Sequence, residues 1–346
     1  MKRKIGSAVR NFTGNFERWR VLVNSRKQAD KLRREIVKTG GTEFVDQRLL
    51  NKIKTYAAEA YGDAGYGHWL ALYAEIRKEF IEGWIGDDYY RTVLLPKWNK
   101  PEIANLSTLK TFDHRLFPGM TIKPIGMRIS GIYYKAENER ISEKDFEFMI
   151  RNHRGEIVIK QDRSGSGKGI HFIDSDKFNL NELDKVTDLL VQPSVRQHPS
   201  LGKLHQSSVN TLRITTFQTD SGQIVVKHRS MRIGVSGERI VNTYGGFFFL
   251  DRSGRGYTHA YNDDGRDLGG RHPDTGIQYR DFSLDSISEA EELCIKAHFM
   301  YPYIRFVGWD IYINEENRPV IIEWNTRPDI WVNEAVIGPL WEADRH

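Results

Sequence analysis

The sequence predicts an α+β fold with a mostly helical N-terminal region. Three observations carry this. Helical patterns recur through the first hundred residues, as in Leu70, Tyr73, Ala74, Arg77 and Phe80. Beyond them, short segments rich in β-branched and aromatic residues alternate with turn signals and with capped helical stretches. Finally, the stretch from Phe306 to Asn325 reads as two strands joined by a polar turn, and the rest of the chain is organised around it.

In that stretch Val307–Ile313 and Val320–Trp324 have strand composition, and Asn314–Pro319 carries the turn residues. A hairpin symmetric about the Glu316–Asn317 bond sets Asp310 opposite Glu323. Strand side chains alternate faces, so Glu323 and Asn325 then point the same way as Asp310. Two facing carboxylates repel unless a proton or cation lies between them. Hard oxygen donors of this kind suit Mg²⁺, which is held by one or two carboxylates while substrate phosphates complete its shell. A solvated acidic sheet face is the competing reading.

Bulk composition bounds the rest. With 346 residues the chain can form two or three domains. At 39% hydrophobic and 28% charged it is ordinary globular material. No apolar run approaches the roughly 18 residues of a membrane span, and Met1-Lys-Arg-Lys-Ile lacks the apolar core of a signal peptide. The one cysteine, Cys294, reads as a core thiol; it excludes an internal disulfide and a cysteine-based zinc site, and fits a reducing cytoplasm. The net charge of +5 is uneven: residues 1–40 hold twelve Lys and Arg against Glu17, Asp30 and Glu35, which leaves the remaining chain acidic. A nucleic-acid partner is therefore not expected of the body of the protein.

Val9, Phe12, Phe16, Trp19 and Val23 fall on one helical face among basic residues, with Gly14 inside the stripe. Such a helix packs on its own protein or lies on an anionic membrane surface, the inner face of the membrane in a cytoplasmic protein. Tyr61–Gly67 is glycine-rich, but no strand leads into it, so it reads as a turn and not a phosphate cradle. Ser142–Asp145 and Ser288–Glu291 resemble capping boxes that open helices.

Between the boxes lies a glycine-rich hairpin. Glu156–Lys160 and Ile170–Ile173 are strands, and Gln161-Asp-Arg-Ser-Gly-Ser-Gly-Lys-Gly169 is the tip. Backbone N–H groups in such a tip can wrap phosphate oxygens, and glycine permits close approach. It is not a P-loop: Asp162 and Gly169 stand where that motif needs Gly and Ser or Thr, and a strand follows where a helix should. Lys160, ending an apolar strand just before the tip, can reach a bound phosphate. Further on, Val209–Phe217 and Ile224–Ile233 are strands turned by Asp220–Gly222, and Asn242–Leu250 is another. Arg213, Arg229 and Arg232 are candidates for one charged sheet face, suited to phosphate or carboxylate. The histidines show no metal-binding spacing.

Taken in order, Ile-Val-Ile-Lys160 with its glycine-rich tip, Val-Gln-Pro-Ser-Val195, Ser-Val-Asn-Thr-Leu-Arg213, Met-Arg-Ile-Gly234, Asn-Thr-Tyr-Gly-Gly246, His-Pro-Asp-Thr-Gly276, Val-Gly-Trp-Asp310 and Ile-Ile-Glu-Trp-Asn325 resemble the ATP-grasp superfamily, in its sugar-transfer associated branch. The resemblance covers residues 105–335. It implies two α+β lobes enclosing ATP, with residues 1–104 as the basic helical region, 105–192 as the small lobe and 193–346 as the large C-terminal lobe carrying the Mg²⁺ site. It implies that Lys110 and Lys160 contact the phosphates and that Ser164, Gly165, Ser166, Gly167, Lys168 and Gly169 close over them. Val191–Val195 would be the adenine hinge, with Gln192 and Val195 as contacts. Asp310, Glu323 and Asn325 match the Mg²⁺ ligands, and Arg213 and Arg232 fall where strand arginines approach the transferred phosphate. Arg327, where relatives often have a small residue, would clamp an anionic group on the substrate or pair with Asp329.

The activity this implies is ATP-dependent ligation of a carboxylate to an amine through an acyl phosphate, on a small-molecule or glycan-linked substrate related to a sugar or cell-surface polysaccharide. Two alternatives stand beside it. One is a phosphotransferase on the same fold, with an Asp or His of 259–274 as base. The other is a non-catalytic module that binds anionic membranes or polymers through residues 1–40.

Overall fold

The computed structural model describes residues 2–164, 169–183, 187–241 and 245–341, with side chains from residue 19 onward. The chain divides into two compact units. One comprises the residues up to Lys100 with Asp263–Arg266 and the chain from Asp329; the other comprises Pro101–Asn262 and Asp267–Pro328.

The first unit is helical. A helix spans Lys2–Gly40 and continues through Gly14. Val9, Phe12 and Phe16 of the expected stripe have side chains outside the described residues, and Trp19 is exposed. Among the described side chains of this helix, Ala29 and Leu32 are buried. It packs on the helix Gly67–Arg77, whose Trp69 ring N–H donates to Ser25 Oγ at 2.9 Å. Helix Gln47–Tyr61 starts at Asp46, whose carboxylate accepts from Leu49 N, and ends at Gly62 with φ +82°. Tyr61–Gly67 is a turn in which Asp63 accepts from Gly65 N.

The second unit holds two antiparallel sheets. The smaller contains β1 (Gly126–Ile129), β2 (Ile132–Lys135), β3 (Arg140–Ile141), β4 (Glu156–Gln161), β5 (Ile170–Asp174) and β6 (Leu189–Pro193), in the order β3-β2-β1-β6-β4-β5. The larger contains β7 (Thr211–Gln218), β8 (Ile224–Arg232), β9 (Phe247–Phe249), β10 (Ala260–Tyr261), β11 (Asp267–Gly269), β12 (Phe306–Ile313) and β13 (Pro319–Asn325), in the order β11-β10-β9-β8-β7-β12-β13.

Each sheet packs a helix on one face. Helix Glu143–Arg151 is capped as its sequence predicts, Ser142 Oγ accepting from Asp145 N at 3.1 Å, and it buries Phe146 and Ile150 against Ile157, Ile159 and Val191. Helix Ile287–Met300 buries Ala290, Cys294 and Ala297 with Leu212, Ile214 and Trp309. Its start corrects the sequence reading. Ser288–Glu291 is not its capping box: the helix begins at Ile287, which is buried in the core, and Glu291 pairs with Arg229 of β8 instead of reaching back to the terminus.

The strand expected over Asn242–Leu250 forms only at Phe247–Phe249; residues 242–244 lie outside the described residues. Among the described residues no helix is long and apolar enough to cross a membrane.

Candidate active site

The hairpin β12–β13 is anchored from below. Trp309 and Trp324 are register partners, fully buried and stacked at 6.3 Å, and Phe117 sets its edge against both at 5.3 Å. Burying a side chain the size of Phe117 contributes about 1.5–3 kcal/mol. With the tryptophans committed to the core, alternation turns their neighbours Asp310 and Glu323 to the other face.

Asp310 does pair with Glu323, but by a different route from the symmetric hairpin. Next to the turn the register is Ile313↔Pro319, Tyr312↔Val320 and Ile311↔Ile321, centred on Glu316, and continuing it would set Asp310 opposite Ile322. A bulge at Ile322 shifts the register by one, so the partner becomes Glu323. Asn325 pairs with Gly308 two positions on.

Arg213 on β7 is also in register with Asp310 and grips it with two bonds, Nε to Oδ1 at 2.6 Å and Nη2 to Oδ2 at 2.8 Å. Burial alone would raise the Asp310 pKa, but the Arg213 guanidinium outweighs it, and the carboxyl lies below the usual range. The row continues on β8: Arg213 faces Ser230, and Arg232, two residues along, shares that face. Arg229 does not. It is opposite Ile214, on the face packed by helix Ile287–Met300, and its partner is Glu291. Strand residues three apart cannot share a face, so Arg229 and Arg232 were separable from spacing alone. Between the arginines, His228 is buried, and burial with the charges of Arg213, Arg229 and Arg232 lowers its pKa to about 3, so the ring is neutral at pH 7.

Two lysines complete the acidic side. Lys110, the first residue of helix Lys110–Leu116, donates to Glu323 Oε1 at 3.0 Å. Lys160, on β4 of the smaller sheet, is buried, and among the described residues its ammonium makes no hydrogen bond or ion pair. Burial lowers its pKa to about 8; Glu323 works against that and Lys110 adds to it. One turn beyond Lys110, Asp113 accepts from the Trp324 ring N–H at 2.8 Å. Burial pushes its carboxyl well above the usual range, partly offset by the Trp324 bond and reinforced by Glu323.

The remaining predicted residues lie along β4–β6 and just past β13. Ser164 turns back onto its hairpin, donating to Gln161 O at 2.5 Å, and Gly169 closes it with φ +74°. Gly165, Ser166, Gly167 and Lys168 lie outside the described residues. Gln192 is buried in β6; its Nε2 donates to Ile122 O at 3.0 Å, while its Oε1 has no partner among the described residues. Val195 is half-buried just past that strand. Arg327 is exposed, its backbone N–H donating to Asn325 Oδ1 and its Nη2 to Asn105 Oδ1 at 2.9 Å. Its alternative partner Asp329 pairs with Arg91 instead.

A Mg²⁺ ion suits this donor set. Asp310, Glu323 and Asn325 offer hard oxygens on one face, and after the bonds to Arg213 and Lys110 each carboxylate keeps lone pairs. Among the described residues no group of three or more His, Cys, Asp or Glu could hold a metal by itself. Asp113, Thr111 and Asp162 received no role from the sequence. The signal available was the spacing Lys110/Asp113, which places both on one helix face.

Two antiparallel sheets, a glycine-rich hairpin ending in Lys160 and an acidic hairpin at β12–β13 constitute an ATP-grasp fold. The model of the sugar-transfer associated ATP-grasp family matches residues 91–340, and the chain belongs to that family. Similar solved structures include an N5-carboxyaminoimidazole ribonucleotide synthetase with ADP (9% identity, TM-score 0.40, 69% of this chain and 51% of that one). They also include the D-alanine-D-alanine ligase of Coxiella burnetii (11%, 0.38, 70% and 54%) and the D-cycloserine synthetase DcsG (12%, 0.41, 70% and 70%). The chain thus spans about half the length of the first two. No match was found among curated proteins.

Proposed function

We propose that the protein is an ATP- and Mg²⁺-dependent ligase that joins a carboxylate to an amine, with a substrate related to a sugar or cell-surface polysaccharide. The observation that carries this is the row Glu323–Asp310–Arg213, with Arg232 on the same face and Lys110 on Glu323. The row sets oxygen donors for a cation directly beside cations for an anion.

In this reading Lys160 and Lys110 hold the phosphates, Ser164–Gly169 cover them, and Gln192 and Val195 meet the adenine. The unpartnered Gln192 Oε1 supplies an acceptor for an amino group there. Asp310, Glu323 and Asn325 would hold Mg²⁺, which offsets phosphate charge when bound. Arg213 and Arg232 stabilise the transferring phosphoryl group. The substrate carboxylate oxygen attacks the γ-phosphorus, ADP leaves, and an acyl phosphate results. The amine nitrogen then attacks the carbonyl carbon, and phosphate leaves, taking up the proton the amine gives up as the amide forms. Little covalent chemistry falls to the protein; positioning and electrostatics dominate. Arg327, whose side-chain partner among the described residues is the neutral Asn105, is available to an anionic group on the substrate.

The phosphotransferase reading needs a base beside the γ-phosphate. The best-formed pair within 259–274 is His259 with Asp267, Nδ1 to Oδ2 at 2.8 Å. It sits at β10–β11, four strands from β12. At about 4.8 Å per strand that is roughly 19 Å from the metal strand, beyond hydrogen-bond reach of a nucleophile there. That distance excludes this pair as the base, and experiment separates ligation from phosphotransfer. Thermal unfolding with and without MgATP tests the nucleotide site: at about 100 times its Kd a ligand adds about 2.7 kcal/mol. Absence of any shift in the wild type would remove the proposal's foundation. Hydroxylamine then separates the chemistries, since a hydroxamate marks an acyl phosphate and a stable phosphorylated product excludes the ligase.

A further inference from the structure

We infer that the segment Ala104–Asp113 couples the phosphate-binding hairpin to the metal strand, and that Asp162 and Thr111 are its positioning residues. The inference rests on the nucleotide site proposed above.

The segment is bonded on two sides. Toward the glycine-rich hairpin, Thr111 donates twice to Asp162, N to Oδ1 at 3.0 Å and Oγ1 to Oδ2 at 2.7 Å, and Arg163 N donates to Thr108 O at 2.7 Å. Toward β13 and its continuation, Lys110 donates to Glu323 at 3.0 Å and Asp113 accepts from Trp324 at 2.8 Å. Thr326 Oγ1 donates to Ala104 O at 2.8 Å and lies 2.9 Å from Ser107 Oγ, and Arg327 reaches Asn105.

The sequence positions make this a linkage and not only a set of contacts. Thr111 directly follows Lys110, which holds a metal-strand carboxylate. Asp162 is two residues beyond Lys160 and stands at the foot of the tip. A displacement of the chain at Asp162 therefore reaches Glu323 through the Thr111 bonds, the adjacent Lys110 and its bond to Glu323. Asp162 is itself buried, a costly place for a carboxylate, and it accepts from both Thr111 groups. Burial raises its pKa, and the Thr111 bonds work against that rise. Phosphate held at Lys160 would then fix Glu323 and Asn325 in place for the cation. By reciprocity the cation would tighten nucleotide binding.

The test uses the full-length protein and measures the ATP Kd by calorimetry, once with EDTA and once with excess Mg²⁺. The ratio of the two reports the coupling. Thr111→Val keeps shape but removes the hydroxyl bond. It should lower the ratio at least about fivefold, the low end of common coupling factors, with the metal-free Kd within about twofold of wild type. Thr111→Ser retains the donor and should restore the wild-type ratio, and Asp162→Ala should lower the ratio further. An unchanged ratio in Thr111→Val overturns the inference. So does a proportional loss of both affinities, which would mark Thr111 as merely structural. A wild type that binds ATP in neither condition overturns the nucleotide site itself, and that outcome shows before any variant is made.

Discussion

Asp310 and Glu323 face each other because one residue, Ile322, bulges out of the ladder between them and the turn. Without it Glu323 would pair with Trp309 and point into the core. With it the two carboxylates share a face with Arg213, and the chain cations around them set what each substitution should do.

Glu323→Ala removes an oxygen donor and frees Lys110, and Lys160→Ala removes a buried cation from the phosphate side. Both variants should fold, and both should lose most of the MgATP-induced rise in Tm. Differential scanning calorimetry with and without nucleotide checks this. A wild-type shift in either variant would take that residue out of the site.

Lys160 has a folded pKa near 8, below its ordinary 10.5. The unfolded chain thus holds a proton that the folded chain releases between those values, and this group's contribution to stability rises with pH from about 8 to 10.5. Bound polyphosphate favours the charged ammonium, so nucleotide binding near pH 8.5 should take up protons. Calorimetry in buffers of different ionisation enthalpy measures that uptake, and Lys160→Met should abolish it.

Arg213, which is buried, and Asp310, which is half-buried, form a doubly bonded pair. Arg213→Met leaves the carboxylate alone and should destabilise by about 3 kcal/mol or more, read from urea unfolding at pH 7. The Asp310 pKa is depressed, so the stability it contributes is present above the ordinary carboxylate range and disappears as pH falls through its folded value. The Arg213→Met penalty should accordingly shrink in acid.

Arg229 and Arg232 lie on opposite faces of β8. Arg229→Gln breaks the pair with Glu291 and should alter stability while leaving MgATP affinity within about twofold. Arg232→Gln should weaken MgATP binding at least about tenfold, equivalent to 1.4 kcal/mol. Equal effects on binding would contradict the face assignment.

Much of this protein was determined by local sequence. Alternation in Val307–Ile313 and Val320–Trp324, the turn residues between them and the glycines after Lys160 specify hairpins through short-range sterics, and those rules act on neighbours. The Ser142 cap is of the same kind. The order of motifs along the chain was enough to identify the ATP-grasp family. Tertiary structure decided the rest. The bulge at Ile322 follows from committing Trp309 and Trp324 to one core, and the early start of helix Ile287–Met300 from burying Ile287. Arg229 belongs to Glu291, Asp329 to Arg91 and Asp162 to Thr111 because each charge or buried polar group takes the partner that folding brings near. Those partners lie 62, 238 and 51 residues away in the chain, where no local pattern reports them.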